Sequence, residues 1–321
     1  MLANSRPILV ITGPTGIGKT DLSIALSEQF PIRLLSADSV MVYQHLNIGS
    51  AKPTAEELSR SPHELIDLVP PEHSFDAGQF VTHATEAIKR AWDRNLVPCL
   101  VGGTIMYLKS LLDGLDPLPS SEPTIRERIR KKAELEGWPS VHAWLESLDS
   151  YAAQMIHPNH SSRIERALEV RLITGDSIHS FWSERGADQL IAGHPIEIAI
   201  LTLMPSNREQ LRGRLDRRFD AMLTDGLEAE VRSLRGRPEL SPSCTSMRSV
   251  GYRQMWQFLD GSISKDEMKD RAKAATRQLA KRQMTWLRSW RADAKTIIEV
   301  ADSLPIDKAK NWLSGELDRV L

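Results

Sequence analysis

Short apolar runs separated by helix-like segments characterise the first third of the chain. Residues 8–11, 32–35 and 97–101 are continuous and aliphatic, which is typical of strands buried on both faces of a sheet. Residues 22–26 and 84–92 show the apolar spacing of helices. This alternation predicts a parallel α/β sheet flanked by helices, with active loops at the carboxyl ends of its strands.

The pattern changes at residues 115–123 (LDPLPSSEP), where prolines mark a linker or a domain edge. From residue 124 to about 193 the spacing is helical, without a convincing strand, and residues 196–203 look like a strand again. The sequence therefore predicts one α/β core, 1–118 with 196–321, interrupted by an all-helical insertion domain, 119–195.

Composition narrows the class of protein. The 321 residues carry 41 Lys+Arg against 42 Asp+Glu, so charge has to be interpreted locally. Two cysteines exclude a disulfide framework and a cysteine-rich zinc site. No stretch approaches the roughly 18 apolar residues of a membrane span. We expect a cytoplasmic, soluble protein, and a monomer.

A phosphate-binding loop follows the first strand. GPTGIGKT, residues 13–20, matches G-x-x-x-x-G-K-[ST]. In this motif backbone N–H groups and the next helix's N-terminus face phosphate oxygens, the lysine neutralises charge, and the final hydroxyl ligates Mg²⁺. Lys19 and Thr20 have these two roles here. The loop predicts a P-loop NTPase-like fold and a bound di- or triphosphate, with nucleotide (ATP) as one candidate.

The residues at the other two strand ends indicate whether the site transfers a group or hydrolyses a nucleotide. The third strand ends in Gly102-Gly103-Thr104, without the second carboxylate that hydrolytic NTPases use for magnesium. The second strand, which we expect to lie beside the phosphate-loop strand, ends in Asp38. A lone carboxylate there suits a general base, or alternatively a helix cap or magnesium-organising residue. Thr104 is alternatively a cap of the next helix.

A basic segment lies near the C-terminus. Residues 271–291 contain seven basic and no acidic residues. On a helix, one stripe predicted to bind a polyanion is formed by Lys273, Arg277, Lys281, Arg288 and Arg291. The opposite side, predicted to pack on the core, carries Ala275, Leu279, Trp286 and Trp290. A merely solvated basic face is the alternative.

Two arginine pairs have helical spacing. Arg214 and Arg218 share a face and could clamp one anionic group, and Arg163 and Arg166 are similarly close. Salt-bridged surface arginines are the alternative for both pairs. The tryptophans of the insertion are expected in its core: Trp138, Trp144 and Trp182.

Together these segments resemble one enzyme family. The chain from residue 13 to about 290 is similar to tRNA dimethylallyltransferase, the isopentenyl-tRNA transferase family, in GPTGIGKT, SADSVMVYQHLNIGSAKP, PHELIDL, LVGGTIMYLKSLLDGL, HPNHSSRIERALEV, RRFDAML, SVGYRQMW and ATRQLAKRQMTWLR. The resemblance implies transfer of the dimethylallyl group from dimethylallyl diphosphate to the exocyclic amine of the adenosine just 3′ of a tRNA anticodon, with release of pyrophosphate.

The resemblance also implies roles for single residues. Asp38 would be the base, Thr104 would line the reaction channel and Arg218 would bind the diphosphate. The other diphosphate-binding residues implied or predicted are Gly13, Thr15, Gly16, Ile17, Gly18, Lys19, Thr20 and Arg214, with Mg²⁺ on Thr20.

Contacts to the tRNA follow in the same way. The helical insertion would grip the anticodon stem-loop while the target base is flipped out. The implied tRNA-binding residues are Asp38, Ser39, Val40, Met41, Thr104, Arg126, Ser162, Arg163, Ile164, Glu165, Arg166, Arg248, Ser249, Val250, Gly251, Tyr252, Arg253, Lys281, Arg282, Gln283, Met284, Thr285, Trp286, Leu287 and Arg288.

Three positions depart from the family pattern. Gly16-Ile17 and Asn47 stand where Ala-Ser and Asp are usual, and Asn47 puts any charge role there in doubt. His160-Ser161 replaces Asp-Pro and removes a preferred cap, so the helix start can shift. Three alternatives stay open: a P-loop kinase, a prenyltransferase acting on free adenine nucleotides, and an RNA-binding NTPase switch.

Overall fold

The computed structural model describes residues 5–181, 190–291, 295–301 and 303–320. Its strands are β1 (Arg6–Thr12), β2 (Ile32–Ser36), β3 (His63–Glu64), β4 (Val97–Gly102), β5 (Leu190–Ile191), β6 (His194–Pro205) and β7 (Lys295–Val300). Its α-helices are α1 (Lys19–Ser27), α2 (Ala55–Arg60), α3 (Ala77–Asp93), α4 (Ile105–Leu112), α5 (Pro123–Glu136), α6 (Trp138–Leu148), α7 (Ser150–Met155), α8 (Ser161–Thr174), α9 (Arg208–Thr224), α10 (Leu227–Arg235), α11 (Tyr252–Leu259), α12 (Lys265–Ser289) and α13 (Ile306–Val320). Among these helices none is long and apolar enough to cross a membrane.

The central sheet is parallel and confirms the predicted fold class. Its order is β3-β2-β4-β1-β6, and β6 also pairs with β7 in parallel and with β5 antiparallel. Along β1, Ile8 and Val10 pack in one core with α3 and α4, whereas Leu9 and Ile11 pack in the other core with α1 and α13. Both faces are covered, which explains why the strands are continuously apolar.

The strand order corrects one prediction. β2 does not lie beside the phosphate-loop strand β1, because β4 pairs with both of them. Two strand spacings, roughly 10 Å, therefore separate the ends of β1 and β2. The intervening strand ends at Gly102, where the absence of a side chain lets the turns that follow β2 and β4 approach each other closely.

Several strands were not predicted. β3 and β5 have two residues each, too few to show a period, and β5 falls where only helical patterns were expected. The chain after Arg291 forms β7 and α13, whose Val300 and Leu313 belong to the same buried core as Leu9. The C-terminal segment is therefore part of the sheet and its packing.

The chain separates into two compact units, Met1–Asp113 with Asp188–Leu321 and Gly114–Ala187. The helical unit begins and ends earlier than the predicted 119–195, because β5 and the first residues of β6 belong to the sheet. Its helices α5–α8 bury a core of their own, against which Trp138 and Trp144 pack. Trp182 lies outside the described residues. Helix α8 begins at Ser161 without a side-chain cap from His160.

Candidate active site

The phosphate loop is curled by glycines, as its motif predicts. Gly16 and Gly18 have φ angles of 74° and 97°, which strain any residue with a side chain. A Cβ on Gly18 would also lie 2.5 Å from the Leu304 side chain. Ile17 is buried in the core, so only its backbone is available to a ligand. Between Gly16 and Gly18 the loop therefore presents backbone groups to a ligand.

Lys19 lies across this loop. Its Nζ donates to the carbonyls of Gly13 and Pro14, both at 3.0 Å. Burial lowers the pKa of Lys19 to about 8. The negative charge of Asp38 opposes this shift, and the positive charge of Arg218 adds to it. An arriving anion would favour the charged form of this ammonium.

Lys19 faces a cavity of about 490 Å³ beside the loop. Its lining includes Thr20, Asp38 and Arg218. Arg218 has no hydrogen bond or ion pair with the described residues. Burial lowers its pKa, and the negative charges of Asp38 and Asp21 oppose that shift. Two cations that lack a fully compensating partner thus face one cavity, an arrangement that favours an anion such as diphosphate.

Arg214 lines the same cavity but is partly engaged elsewhere. Its guanidinium donates to the carbonyl of Ala301, in the segment that follows β7. The predicted pair of arginines is therefore brought together at the cavity, with Arg218 as its freer member.

Asp38 is held by the turn that follows β2. Its Oδ1 accepts from the backbone N–H groups of Val40 and Met41, at 2.8 and 3.3 Å. Its Oδ2 accepts no hydrogen bond from the described residues. One oxygen is therefore fixed, and the other is available to accept a proton.

Thr104 attaches this turn to the end of β4. Its Oγ1 accepts from the backbone N–H of Ser39 at 3.0 Å and lies 3.3 Å from the Ser39 hydroxyl. The two turns approach so closely that a Cβ on Gly102 would lie 2.1 Å from the Ala37 carbonyl oxygen. Thr104 thus orients the Asp38 turn and does not cap α4 with its side chain.

A smaller cavity of about 100 Å³ adjoins the first one. The two share Thr15, Asp38, Ser50 and Arg218. Its remaining walls are largely apolar: Val40, Leu215, Phe219, Met222, Val250 and Leu279. Anion-binding and apolar spaces therefore meet at Asp38.

Glu230, which the sequence analysis did not identify, fixes a loop of the site. From α10 its carboxylate accepts three backbone N–H groups, of Asn47 at 3.0 Å, Ile48 at 2.8 Å and Gly49 at 3.2 Å. It also accepts the Tyr252 hydroxyl at 2.7 Å. This loop supplies Ser50–Pro53 to the large cavity. No local signal marks Glu230, because the loop that it holds lies some 180 residues away in the sequence.

Two further cavity residues were also missed. Lys52 is 4% exposed and donates to Asp67 Oδ1 at 2.6 Å and to Asn47 Oδ1 at 3.1 Å. Asn47 therefore serves Lys52 as a neutral acceptor. His63 lines the cavity with its Nδ1 2.8 Å from the Ser61 carbonyl, and burial lowers its pKa. Both residues lie in segments that the family resemblance covers.

The basic stripe on α12 is narrower than predicted. Lys273 and Arg277 pair with Asp220 and Asp216 of α9, both at 2.7 Å. Arg291 lies beyond the helix and pairs with Asp113. The carboxylates that neutralise these three cations come from other parts of the chain, so the sequence of the segment itself did not reveal them.

Three further α12 cations are exposed and have no ion pair among the described residues: Lys281, Arg282 and Arg288. Lys281 and Arg288 line a groove of about 370 Å³ between α9 and α12, together with Arg208 and Arg212 of α9. Arg212 pairs with Glu209 at 2.7 Å. The contribution of Arg208 and Arg212 to a basic groove was not predicted from the sequence.

Several implied tRNA-binding side chains point away from solvent. Ile164, Tyr252, Met284 and Leu287 are buried, so their side chains pack in the protein interior, and their implied contacts to tRNA stay a prediction. Gln283 is half-buried and bonds to two loops of the sheet unit. A run of consecutive helical residues covers every face of the helix, so it must include core positions.

Trp286 is more exposed than predicted. It was expected in the core but is 47% exposed, with the Lys109 ammonium 5.5 Å from its ring centroid. Exposed positions within the other implied segments are Ser39, Ser162, Arg163, Arg248, Arg253, Lys281, Arg282, Thr285 and Arg288. Ser249, Val250 and Glu165 are half-buried, whereas Gly251 is buried.

The helical unit engages two of its predicted RNA-binding arginines internally. Arg126 and Arg166 pair with Glu169, whose side chain is fully buried, at 2.8 and 2.5 Å. Burial alone would raise the pKa of Glu169, but these bonds outweigh it and hold the pKa at about 2. Glu165 pairs with Arg130. Of the cations predicted there, Arg163 has no ion pair among the described residues.

Comparison with known proteins identifies the family. The sequence model of one family, IPP transferase, matches residues 41–290. The chain is 44% identical to tRNA dimethylallyltransferase 2 of Hahella chejuensis, over 92% of this chain and 93% of that one. The chain belongs to the IPP transferase family. Membership confirms the resemblance in the sequence and the prediction of a prenyl-transferring enzyme.

Solved structures of IPP transferases share the fold. One is the full-length tRNA isopentenylpyrophosphate transferase of Bacillus halodurans, with a TM-score of 0.70 and 31% identity over 98% of this chain and 97% of that one. Another is a eukaryotic dimethylallyltransferase described as acting on tRNA, with a TM-score of 0.82 and 26% identity over 99% and 81%. The parallel sheet and the helical unit are thus family features.

Proposed function

We propose that this IPP transferase moves the dimethylallyl group of dimethylallyl diphosphate to the exocyclic amine of the adenosine 3′-adjacent to the anticodon in tRNA, releasing pyrophosphate. The observation that carries the proposal is the cavity in which Lys19 and Arg218 face Asp38. The tRNA named in the descriptions of the relatives supports the acceptor.

The donor's diphosphate occupies the large cavity. Its oxygens accept from the backbone N–H groups of the phosphate loop and from Lys19 and Arg218. Mg²⁺ fits this site, because the Thr20 hydroxyl lines it, and Mg²⁺ takes few protein oxygens alongside phosphate oxygens and water. The described residues contain no ready-made cluster of three or more metal-ligating side chains. The Thr20 hydroxyl would hold Mg²⁺ beside the diphosphate, and the ion would neutralise phosphate charge there.

Asp38 is the proton acceptor. The amine nitrogen bonds to the first prenyl carbon, the carbon–oxygen bond breaks, and its electron pair leaves with the pyrophosphate. The nitrogen becomes acidic as that bond forms, and the free Oδ2 of Asp38 takes its proton. Arg218 stabilises the charge that grows on the leaving group, and Thr104 keeps the Asp38 turn in place.

The apolar cavity suits the five-carbon group. It joins the large cavity at Asp38 and Arg218, where the bond from carbon to oxygen must lie. Apolar walls such as Phe219 and Leu215 accept the methyl groups and exclude water from the reacting carbon.

The acceptor is held through its phosphates. Exposed Lys281, Arg282 and Arg288 on α12 and Arg163 on α8 supply unpaired cations for the backbone of the anticodon stem-loop. The target adenosine must leave its stack to bring the amine to an internal cavity. The monomeric state and the cytoplasmic location stay predictions from the sequence.

The test is transfer without ATP. Purified protein is incubated with tRNA, labelled dimethylallyl diphosphate and Mg²⁺, and the modified nucleoside is identified by nuclease digestion and mass spectrometry. A tRNA carrying guanosine at the target position should accept no label. An absolute ATP requirement would contradict the proposal and favour a kinase.

Asp38→Asn tests the base. The amide keeps the Oδ1 contacts but cannot take a proton, so the single-turnover rate should fall about 10²–10⁴-fold while tRNA binding persists. Asp93→Asn, at the exposed end of α3, is the matched control and should react normally. A rate for Asp38→Asn within about threefold of the parent's would assign Asp38 to positioning.

A further inference from the structure

Gln283 joins the helix assigned to RNA binding with both turns of the donor site. From α12 its Oε1 accepts the backbone N–H of Thr15 at 2.9 Å, and its Nε2 donates to the Gly103 carbonyl at 2.9 Å. Thr15 belongs to the phosphate loop, and Gly103 precedes Thr104, which holds the Asp38 turn. One side-chain amide therefore contacts the anion-binding loop and the turn beside the base.

The fit around this amide leaves little slack. A Cβ on Gly103 would lie 2.5 Å from the Gln283 Nε2, so the approach requires a glycine at that position. The task also requires an amide, because one end must accept and the other must donate. A glutamate of the same shape would have no donor for the Gly103 carbonyl.

The same helix is attached to the other side of the cavity. Lys273 and Arg277 pair with Asp220 and Asp216 on α9, the helix that carries Arg218. The neighbours of Gln283 in the sequence, Lys281 and Arg282, are exposed and unpaired among the described residues. Outward cations and an inward amide thus occupy a single turn of α12.

We propose that Gln283 couples RNA binding on α12 to the conformation of the phosphate loop, so that RNA and the diphosphate donor bind with positive cooperativity. The inference rests on the proposed function. RNA phosphates on Lys281 and Arg282 restrict the motion of this turn, and the amide transmits the restriction to Thr15 and Gly103. The donor then binds a loop that is already ordered and loses less conformational entropy. By linkage, the donor strengthens RNA binding by the same factor.

Calorimetry on the full chain tests the coupling. The Kd of dimethylallyl diphosphate is measured with Mg²⁺, with and without a saturating anticodon stem-loop RNA that carries guanosine at the target position, so that binding is measured without transfer. The parent should bind the donor about fivefold or more tightly in the presence of RNA, the lower end of typical coupling between sites. Gln283→Ala should reduce this ratio to about one. Gln278→Ala, an exposed glutamine on the same helix, should keep the parent's ratio.

Hydrogen exchange provides a measurement that needs no variant. In the parent, adding the stem-loop should slow amide exchange in a peptide covering residues 13–20. A parent that binds both ligands without cooperativity, an unchanged ratio in Gln283→Ala, or unchanged exchange in that peptide would overturn the inference. A parent that binds neither ligand would instead contradict the proposed function.

Discussion

Lys19 makes donor binding dependent on pH. In the free protein burial lowers its pKa to about 8, below the ordinary value of 10.5. The diphosphate interacts favourably with the charged ammonium, so affinity is greatest where Lys19 is protonated and falls as pH rises through about 8. The charged fraction of Lys19 drops from about nine-tenths at pH 7 to about one-tenth at pH 9. The Kd for the donor should therefore rise about tenfold, which corresponds to a loss of about 1.4 kcal/mol of binding free energy.

The assay is isothermal titration calorimetry with dimethylallyl diphosphate at pH 7, 8 and 9 and constant ionic strength. Lys19→Arg is the matched control, because a guanidinium stays charged throughout this range. Ionisation of the donor itself is common to both proteins and cancels in the comparison. NMR of the labelled Lys19 side chain, which reports its titration directly, gives the pKa of the free protein.

Two results would refute this reasoning. The first is a parent Kd that agrees within about twofold at pH 7 and pH 9. The second is an ammonium that titrates near its ordinary value of 10.5 in the free protein, because burial would then not perturb it.

The remaining predictions concern charge and positioning. Replacing Lys281 and Arg288 together with alanine should reduce the log–log salt slope of tRNA binding by about 1.4–1.8, since each lost phosphate contact accounts for about 0.7–0.9; an unchanged slope would mean a solvated face. Arg218→Ala should lower the single-turnover rate about 10²–10³-fold without shifting the thermal midpoint, and normal turnover would exclude a role on the diphosphate. Glu230→Ala should raise the KM for the donor more than it lowers kcat, because the loop that lines the cavity loses its acceptor; equal effects on both would contradict this. Glu169→Ala should reduce the free energy of unfolding by about 3–5 kcal/mol in denaturant titrations, because two arginines lose a buried partner, and a change below about 1 kcal/mol would contradict it.

The phosphate loop and the principal strands could be predicted because their signals are local. Gly16 and Gly18 permit a backbone conformation that depends on those residues themselves. The apolar runs of β1, β2 and β4 reflect burial on both faces, which any position inside a covered sheet requires. β3 and β5 escaped prediction because two residues cannot display a period.

The order of the strands could not be predicted in the same way. The order of the strands along the chain predicts β2 beside β1, but β4 pairs with both strands and lies between them. The local sequence of a parallel strand specifies burial and says little about its neighbour. The outcome matters to the site, because β4 then lies between the strand that precedes the phosphate loop and the strand that precedes Asp38.

The pairing of charged residues could not be predicted from the local sequence either. The basic segment contains no acidic residue, yet Lys273 and Arg277 are neutralised by carboxylates of α9 that precede them by more than fifty residues. Whether a cation is free depends on which helix packs beside it. The sequence therefore predicted the sign of this surface but overestimated its extent.

The sequence by itself determined the family, whose pattern specifies prenyl transfer, and it predicted a loop for diphosphate and one catalytic carboxylate. Only the tertiary structure decided how these parts are held. Gln283 meets the phosphate loop across 268 positions of the chain, and Glu230 meets Asn47 across 183. Such contacts form only when packing brings distant helices to the strand ends, because a side chain's local sequence does not specify partners so far away.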